Sequence, residues 1–490
     1  MNLSRRDFLK ISGFTVVAAS ASACAVQAPA APSQAPAEEA AGDIVMQWWD
    51  HFLPLQPLTE AVFAAYHDAN PNVTVEYTVF SPPDLGQALQ LAYPNDQAPD
   101  VHALAGVNLP VPALQKEGWF TPLQPYADPD WVSALPKEVL IEGRTTFDGV
   151  LYSFPIFTFR SHPILTWFNI PLLEEAGVDP EIGPVTWDDF RETARKITEN
   201  SGGSVFGWIQ GVGHIDRMSE TLVNLAQLAG APGEIDWTTG EYIQGSDPFV
   251  NALEFLKSME SDGSLFPTST TIDTRNARAR WAAGDGVLFL DGSWNIGVVQ
   301  GSFPEMMDLT GVSQAPIPDA GTPAYTYALP KSGDFWVSSQ TKYPEHAAAI
   351  LQQFTSEDYQ IKLAERMDQP PLDPTAVQKA NVHPTYSKAI QLFADVVRLA
   401  PDPLVQNPDV VDVVSRMTDI RPNLGEIVQG ALAGEVSDIR ATLQDYQDKV
   451  SAERERALAA AQAEGVEVSI DDWVFSNWQP GVDYTADMYS

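Results

Sequence analysis

The residue types in this chain favour binding over covalent chemistry. The sequence has no Gly-x-Ser-x-Gly nucleophile elbow, no His-Glu-x-x-His zinc motif and no Gly-Lys-Ser/Thr phosphate loop. Its seven histidines do not cluster as metal ligands would. Carboxylate pairs, which a glycoside hydrolase needs, arise easily by chance in a chain with 65 acidic residues. We therefore expect no enzyme, no cofactor and no metal site.

Tryptophan beside polar side chains is the pattern that does suggest a ligand site. The chain has 13 tryptophans, and its first predicted strand ends in Trp48-Trp49-Asp50-His51. Side chains alternate between the two faces of a strand, so one indole enters the core, and we predict that Trp49 is the other, ligand-facing one. An indole can cover an apolar face of a ligand, and charged or amide groups can hydrogen-bond its polar groups. Asp50 is thus a candidate hydroxyl acceptor, with helix capping as its alternative role.

The elements that must position these residues alternate between strand and helix. Strands are predicted at 44–49, 73–79 and 100–104, with helices at 58–70 and 84–93 between them, which is the pattern of a parallel sheet. The alternation continues in the predicted strands 150–155, 164–169 and 286–290 and the predicted helices 171–176, 344–354 and 437–464. Thr186, followed by Asp189, is predicted to cap a further helix. The fold class is therefore α/β.

Composition sets limits on the partners. Hydrophobic residues make up 44% and charged residues 19% of the chain, as in globular proteins. The formal net charge of -37 repels phosphate backbones and excludes nucleic acid as an expected partner. The single cysteine, Cys24, excludes an intramolecular disulfide.

The N-terminus resembles an export signal. The run Ser-Arg-Arg-Asp-Phe-Leu-Lys, which contains Arg5 and Arg6, matches the twin-arginine consensus. The apolar stretch 11–19 that follows is too short for a permanent membrane span. We predict a signal peptide at 1–23 and an Ala/Pro-rich tether at 24–43.

The end of this signal resembles a lipobox. Ala21-Ser22-Ala23-Cys24 would make Cys24 the lipid-modified first residue of the mature protein, although Ala21 replaces the usual large aliphatic residue. Ordinary cleavage near Ala23 is the alternative. The expected location is the outer face of the cytoplasmic membrane, held through the lipid anchor alone, or the periplasm.

Several segments, in their order and spacing, resemble the family 1 extracellular solute-binding proteins of ABC importers, the group that includes maltose-binding protein. These are Ala98-Pro99-Asp100-Val101, Glu117–Leu123, Asp148–Pro155, Trp167-Phe168-Asn169 through Pro184–Phe190, and Ala282–Trp294. The resemblance implies a two-lobed periplasmic-binding-protein type II clamshell with hinge crossings, whose lobes close on a ligand. It implies an N-terminal lobe of 44–155 plus 316–340 and a C-terminal lobe of 160–311 plus 345–490. The tail from Val466 to Ser490 exceeds the usual family length.

The implied function is capture of a mono- or oligosaccharide by a monomer that delivers it to the permease subunits of an ABC importer. A binding protein of the same fold for a polyamine, an iron chelate or a phosphodiester is the alternative, followed by an exported glycoside hydrolase.

The resemblance also adds candidate ligand contacts. Trp294 belongs to the family element whose tryptophan stacks on sugar. Trp336 lies where the chain should recross the cleft, and Arg160 just past the first hinge. Asn108, after the strand at 100–104, and Trp208 complete the set. Core packing is the alternative for the three tryptophans, and a surface ion pair is the alternative for Arg160.

Overall fold

The computed structural model describes residues 43–489. The predicted signal peptide, with Arg5 and Arg6, and the predicted lipidation residue Cys24 lie outside the described residues. No helix in 43–489 combines the length and the apolar character that crossing a membrane requires.

The strands of the described chain are short apart from β1, β2, β6 and β8. They are β1 (Ile44–Asp50), β2 (Val73–Val79), β3 (Val101–His102), β4 (Thr146–Phe147), β5 (Val150–Leu151), β6 (Leu165–Asn169), β7 (Phe206–Trp208), β8 (Gly286–Asp291), β9 (Thr310–Ser313), β10 (Thr326–Ala328), β11 (Trp336–Val337) and β12 (Val397–Leu399).

Helices fill most of the remaining chain. They are α1 (Gln56–Ala69), α2 (Pro82–Ala92), α3 (Val111–Lys116), α4 (Pro129–Ala134), α5 (Ile170–Glu175), α6 (Trp187–Asn200), α7 (Ile215–Leu228), α8 (Asp247–Ser261), α9 (Thr274–Ala282), α10 (Trp294–Ser302), α11 (Pro344–Gln353), α12 (Glu357–Ala364), α13 (Ala376–Lys379), α14 (Pro384–Val396), α15 (Pro403–Gln406), α16 (Val410–Val414), α17 (Leu424–Leu432) and α18 (Ile439–Ala463).

The first sheet has the order β11-β3-β1-β2. Strand β1 pairs in parallel with β2 from Ile44↔Val73 to Asp50↔Val79 and in parallel with β3, which confirms the predicted strand–helix–strand pattern. Strand β11 closes the sheet antiparallel to β3. Burial alternates along β1, so that Trp48 is fully buried and Trp49 is partly exposed.

The second sheet has the order β7-β8-β6-β9. Its central strands β6 and β8 are buried along their whole length. They pair antiparallel with each other, and β9 pairs antiparallel with β6, while β7 and β8 are parallel. A run of apolar residues indicates a buried strand but carries no information about its direction, so the sequence did not predict this pairing. The predicted cap of α6 is a full capping box, in which Thr186 and Asp189 each accept from the other's backbone N–H.

Separate hydrophobic cores surround the two sheets. One contains Trp48 and Trp336, and the other contains Phe168 and Trp208. Helices α11 and α12 pack in the first of these cores, with Phe354 fully buried there. The sequence expectation grouped residues 345–490 with the C-terminal lobe, and the bounds of both lobes stay a proposal.

The C-terminal tail is an integral part of this fold. Phe475 and Tyr484 are buried beside Trp237 in a small aromatic core. Asp483 accepts from the backbone N–H of Leu399 at 2.8 Å, which fixes the tail to β12.

Candidate functional site

Trp294 lies at the start of α10, directly after the buried strand β8. The strand ends in Asp291, whose side chain is fully buried and accepts a hydrogen bond from the Trp294 indole Nε1 at 2.8 Å. Gly292 permits this geometry, because a Cβ atom there would lie 2.2 Å from the indole ring. The indole therefore folds back over its own loop and is held in one orientation.

A buried ion pair supports this arrangement from behind. The guanidinium of Arg278, on α9, donates to Asp291 Oδ2 and, through Nε at 3.0 Å, to the side-chain oxygen of Asn295. Asp291 thus accepts from both Arg278 and Trp294. A charge left unpaired in the interior is costly. The ion pair therefore holds the loop after β8, and with it the indole, against α9.

A cavity of about 460 Å³ adjoins one side of Trp294. It is lined by α10, by the segment 365–368 and by Pro54, which follows β1 of the first sheet. The segment 365–368 lies close to α10, since a Cβ at Gly297 would come within 2.6 Å of the carbonyl oxygen of Arg366. The hydroxyl of Ser293 donates to the carbonyl of Asp368 at 2.8 Å. Residues associated with both sheets therefore border this cavity.

A second cavity of about 430 Å³ adjoins Trp294 where helices α7, α9 and α10 begin. The guanidinium of Arg217 lies over the indole of Trp294, with its carbon 4.9 Å from the ring centroid. His214 and Arg275 also line this cavity. The unpaired backbone N–H groups of helix starts attract negative charge, and guanidinium groups do the same.

Ionisable residues next to the first cavity have shifted pKa values. Burial raises the pKa of the Asp368 carboxyl to about 6, and the positive charges of Arg278 and Lys331 offset only part of that effect. Burial also lowers the pKa of Lys331, whose ammonium group donates to the side chain of Gln369 at 3.0 Å. Sequence reasoning missed Asp368 and Lys331, because each is an ordinary loop residue until the fold buries it.

The other predicted residues are not gathered around Trp294. Trp208 and Trp336 are fully buried and pack in the two cores, which is the alternative that the sequence left open for them. Asp50 is fully buried and accepts from the backbone of His51 at 2.6 Å and from Tyr77 at 2.6 Å. Its carboxylate is occupied in holding the end of β1.

The remaining three candidates lie at the surface. Arg160 pairs with Asp483 of the tail at 2.5 Å, so the ion-pair alternative describes it. Trp49 packs on Phe80, with ring centroids 5.3 Å apart, and lines a different cavity from those at Trp294. Asn108 is exposed in the loop after β3. Ligand contact by Trp49 and Asn108 stays a prediction.

In the part of the chain that the structure describes, no cluster of three or more His, Cys, Asp or Glu side chains could hold a metal ion. What the site offers is an oriented indole, guanidinium groups and carboxylates around open cavities. Such groups can hold a polar molecule without reacting with it.

Comparison with known proteins agrees with this fold. An ABC transporter solute-binding protein from Thermotoga lettingae with bound α-D-tagatose superposes with a TM-score of 0.62 at 18% identity, covering 84% of this chain and 100% of that chain. A maltose-bound protein of T. maritima has a TM-score of 0.62 at 19% identity, covering 83% of this chain and 99% of that chain. The fold is thus the two-lobed α/β fold of periplasmic binding proteins.

The family profile described as bacterial extracellular solute-binding protein matches residues 53–361, and the chain belongs to that family. An uncharacterized ABC transporter extracellular-binding protein of Pyrococcus horikoshii is 25% identical over 254 residues, 49% of this chain and 54% of the relative. The chain therefore spans about half the length of this curated relative.

Proposed function

We propose that the protein is the extracytoplasmic substrate-binding component of an ABC importer and that it captures a carbohydrate at Trp294. The observation that carries this proposal is the oriented indole, which Asp291 and Gly292 hold in the wall of two cavities that charged side chains also line.

The chemistry around the indole suits a sugar. The apolar face of a pyranose gains contact area on an aromatic ring, and its hydroxyls gain most from charged partners, at about 1.5–3 kcal/mol for each hydrogen bond. Charged side chains border Trp294 on both sides, with Arg217 on one and Asp368 on the other. The solved structures of similar fold carry tagatose and maltose, which is consistent with this ligand class.

Transport would follow from closure of the lobes on the ligand. Pro54 from the first sheet's side and Trp294 from the second sheet's side border the same cavity, so a ligand there would contact both. A ligand that contacts both lobes stabilises the closed arrangement over the open one. Permease subunits in the membrane would then recognise the closed form.

The proposed setting is outside the cytoplasm. The twin-arginine run with Arg5 and Arg6 would export the chain, lipid on Cys24 would anchor it, and the Ala/Pro-rich segment 24–43 would let the binding protein reach its permease as a monomer.

A titration of intrinsic fluorescence with mono- and oligosaccharides tests the function. The 13 tryptophans should report saturable binding of an intact sugar. A parallel assay of the same sugars for hydrolysis separates the alternative, since release of products without saturable binding would replace the proposal with a glycoside hydrolase. Binding of polyamines or iron chelates, with no sugar bound, would also contradict it.

A further inference from the structure

The charge of the site differs from the charge of the chain. Acidic residues number 65 against 28 lysines and arginines, so most cations have a carboxylate within reach. Among the arginines of residues 43–489, Arg275 and Arg366 are the two whose side chains make no hydrogen bond or ion pair with another described residue. Both line the 460 Å³ cavity next to Trp294.

A third guanidinium at the site is only partly satisfied. Arg217 pairs with Glu220 at 3.1 Å through one terminal nitrogen. Its Nε is buried and has no hydrogen-bond partner in the described chain. The same side chain lies over the indole of Trp294, so it covers part of one face of that ring and holds an unused donor there.

Four acidic residues line the two cavities beside four arginines, so the formal charges of the lining balance, unlike those of the chain. Asp273 caps α9 by accepting from the backbone of Asn276 at 2.8 Å. Asp291 is occupied by Arg278 and Trp294. Glu365, Asp368 and the exposed Asp216 remain.

We propose that the ligand is an acidic sugar, whose oxyanion binds the free guanidinium groups of Arg275 and Arg366 while its ring lies against Trp294. The inference rests on the proposed sugar-binding function and names the substrate class within it. A carboxylate or phosphate matches the planar fork of an arginine with two parallel hydrogen bonds, which a neutral hydroxyl cannot do.

Calorimetric titrations with matched pairs test this inference. The pairs are glucuronate with glucose, galacturonate with galactose, and glucose 6-phosphate with glucose. The acidic member of at least one pair should bind about tenfold more tightly than its neutral partner, because it gains charge-assisted hydrogen bonds. A preference for the acidic sugar in the first two pairs indicates a carboxylate ligand, and a preference in the third pair indicates a phosphate ligand.

Substitutions identify the arginines responsible. Arg275→Gln and Arg366→Gln should each weaken binding of the acidic sugar about tenfold, and they should weaken binding of its neutral partner less. Arg280→Gln is the matched control, because Arg280 lies on the same helix α9 and pairs with Asp285 at 3.2 Å at the surface. It should leave both affinities as in the unmodified protein.

The outcomes separate the two proposals. If neutral sugars bind as tightly as their acidic partners, or if both arginine variants bind the acidic sugar normally, the inference is overturned and the sugar-binding function stands. If neither acidic nor neutral sugars bind, both proposals fail. Thermal unfolding of each variant shows whether a lost affinity comes from loss of folded protein.

Discussion

At the scale of single residues, the orientation of Trp294 depends on Asp291, three residues before it, and on Arg278, 13 residues before Asp291. Arg278 lies on α9, and Asp291 ends β8. The sequence predicted Trp294 as a ligand contact, but it gave no sign that Arg278 and Asp291 would meet. Their pairing arises only because α9 packs beside the end of β8.

The buried pair makes a strong prediction about stability. Asp291→Asn keeps an acceptor for the indole but leaves the Arg278 charge unpaired, so we expect a loss of about 3 kcal/mol in the free energy of unfolding, measured with denaturant. Asp285→Asn is the control, since its pair with Arg280 is exposed and should contribute less than about 1 kcal/mol. Equal losses in the two variants would contradict this account of the pair.

Asp368 predicts a dependence of stability on pH. Its pKa in the folded protein, about 6, lies above the ordinary value of 3.8, so the folded state holds a proton that the unfolded state has released between these values. The free energy of unfolding of the wild-type protein therefore falls as pH rises from 4 to 6. The Asn side chain of Asp368→Asn cannot ionise. The free energy of unfolding of this variant, minus that of wild type, should therefore be about 2 kcal/mol larger at pH 8 than at pH 4. Denaturant unfolding at the two pH values measures this, and a difference independent of pH would refute it.

At the scale of elements, the first sheet follows from sequence patterns. Alternation predicted β2 at its observed bounds, and the pattern from 44 to 104 predicted the order of strands and helices. The predicted strand 150–155 is observed only at Val150–Leu151. Local periodicity identifies elements, whereas pairing partners such as β11 come from distant parts of the chain.

The tail was assigned no role from sequence, yet its aromatic residues build a core with Trp237. Phe475 is 2% exposed and contacts Trp237 with ring centroids 5.9 Å apart. Phe475→Ala should therefore cost about 3–4 kcal/mol of unfolding free energy. Val482→Ala, at a position 45% exposed in the same tail, should change it by less than about 0.5 kcal/mol. If the unfolding curve of Phe475→Ala matched that of wild type, the tail would be dispensable to the stability of the fold.

At the scale of the whole molecule, the two sheets have separate cores, and Pro54 from the first sheet's side lines the same cavity as Trp294 from the second sheet's side. Sequence resemblance predicted this two-lobed class of fold, which the solved structures of similar fold share. Of the seven predicted ligand contacts, only Trp294 lines the two cavities of the proposed site, and ligand contact by any of the seven stays a prediction. Cavity walls combine side chains from α7, α9, α10 and the segment 365–368, and one sequence does not reveal which of these will meet.

Calorimetric titration of wild type, Trp294→Ala and Trp131→Ala with the tightest-binding sugar tests ligand capture by the indole most directly. Trp131 is partly exposed and packs on Phe154 with ring centroids 5.3 Å apart, so its replacement controls for the loss of an indole elsewhere. We predict that Trp294→Ala weakens binding at least about tenfold, since it removes the apolar surface that the ring would cover, and that Trp131→Ala binds like wild type. Unchanged affinity in a folded Trp294→Ala variant would contradict the account.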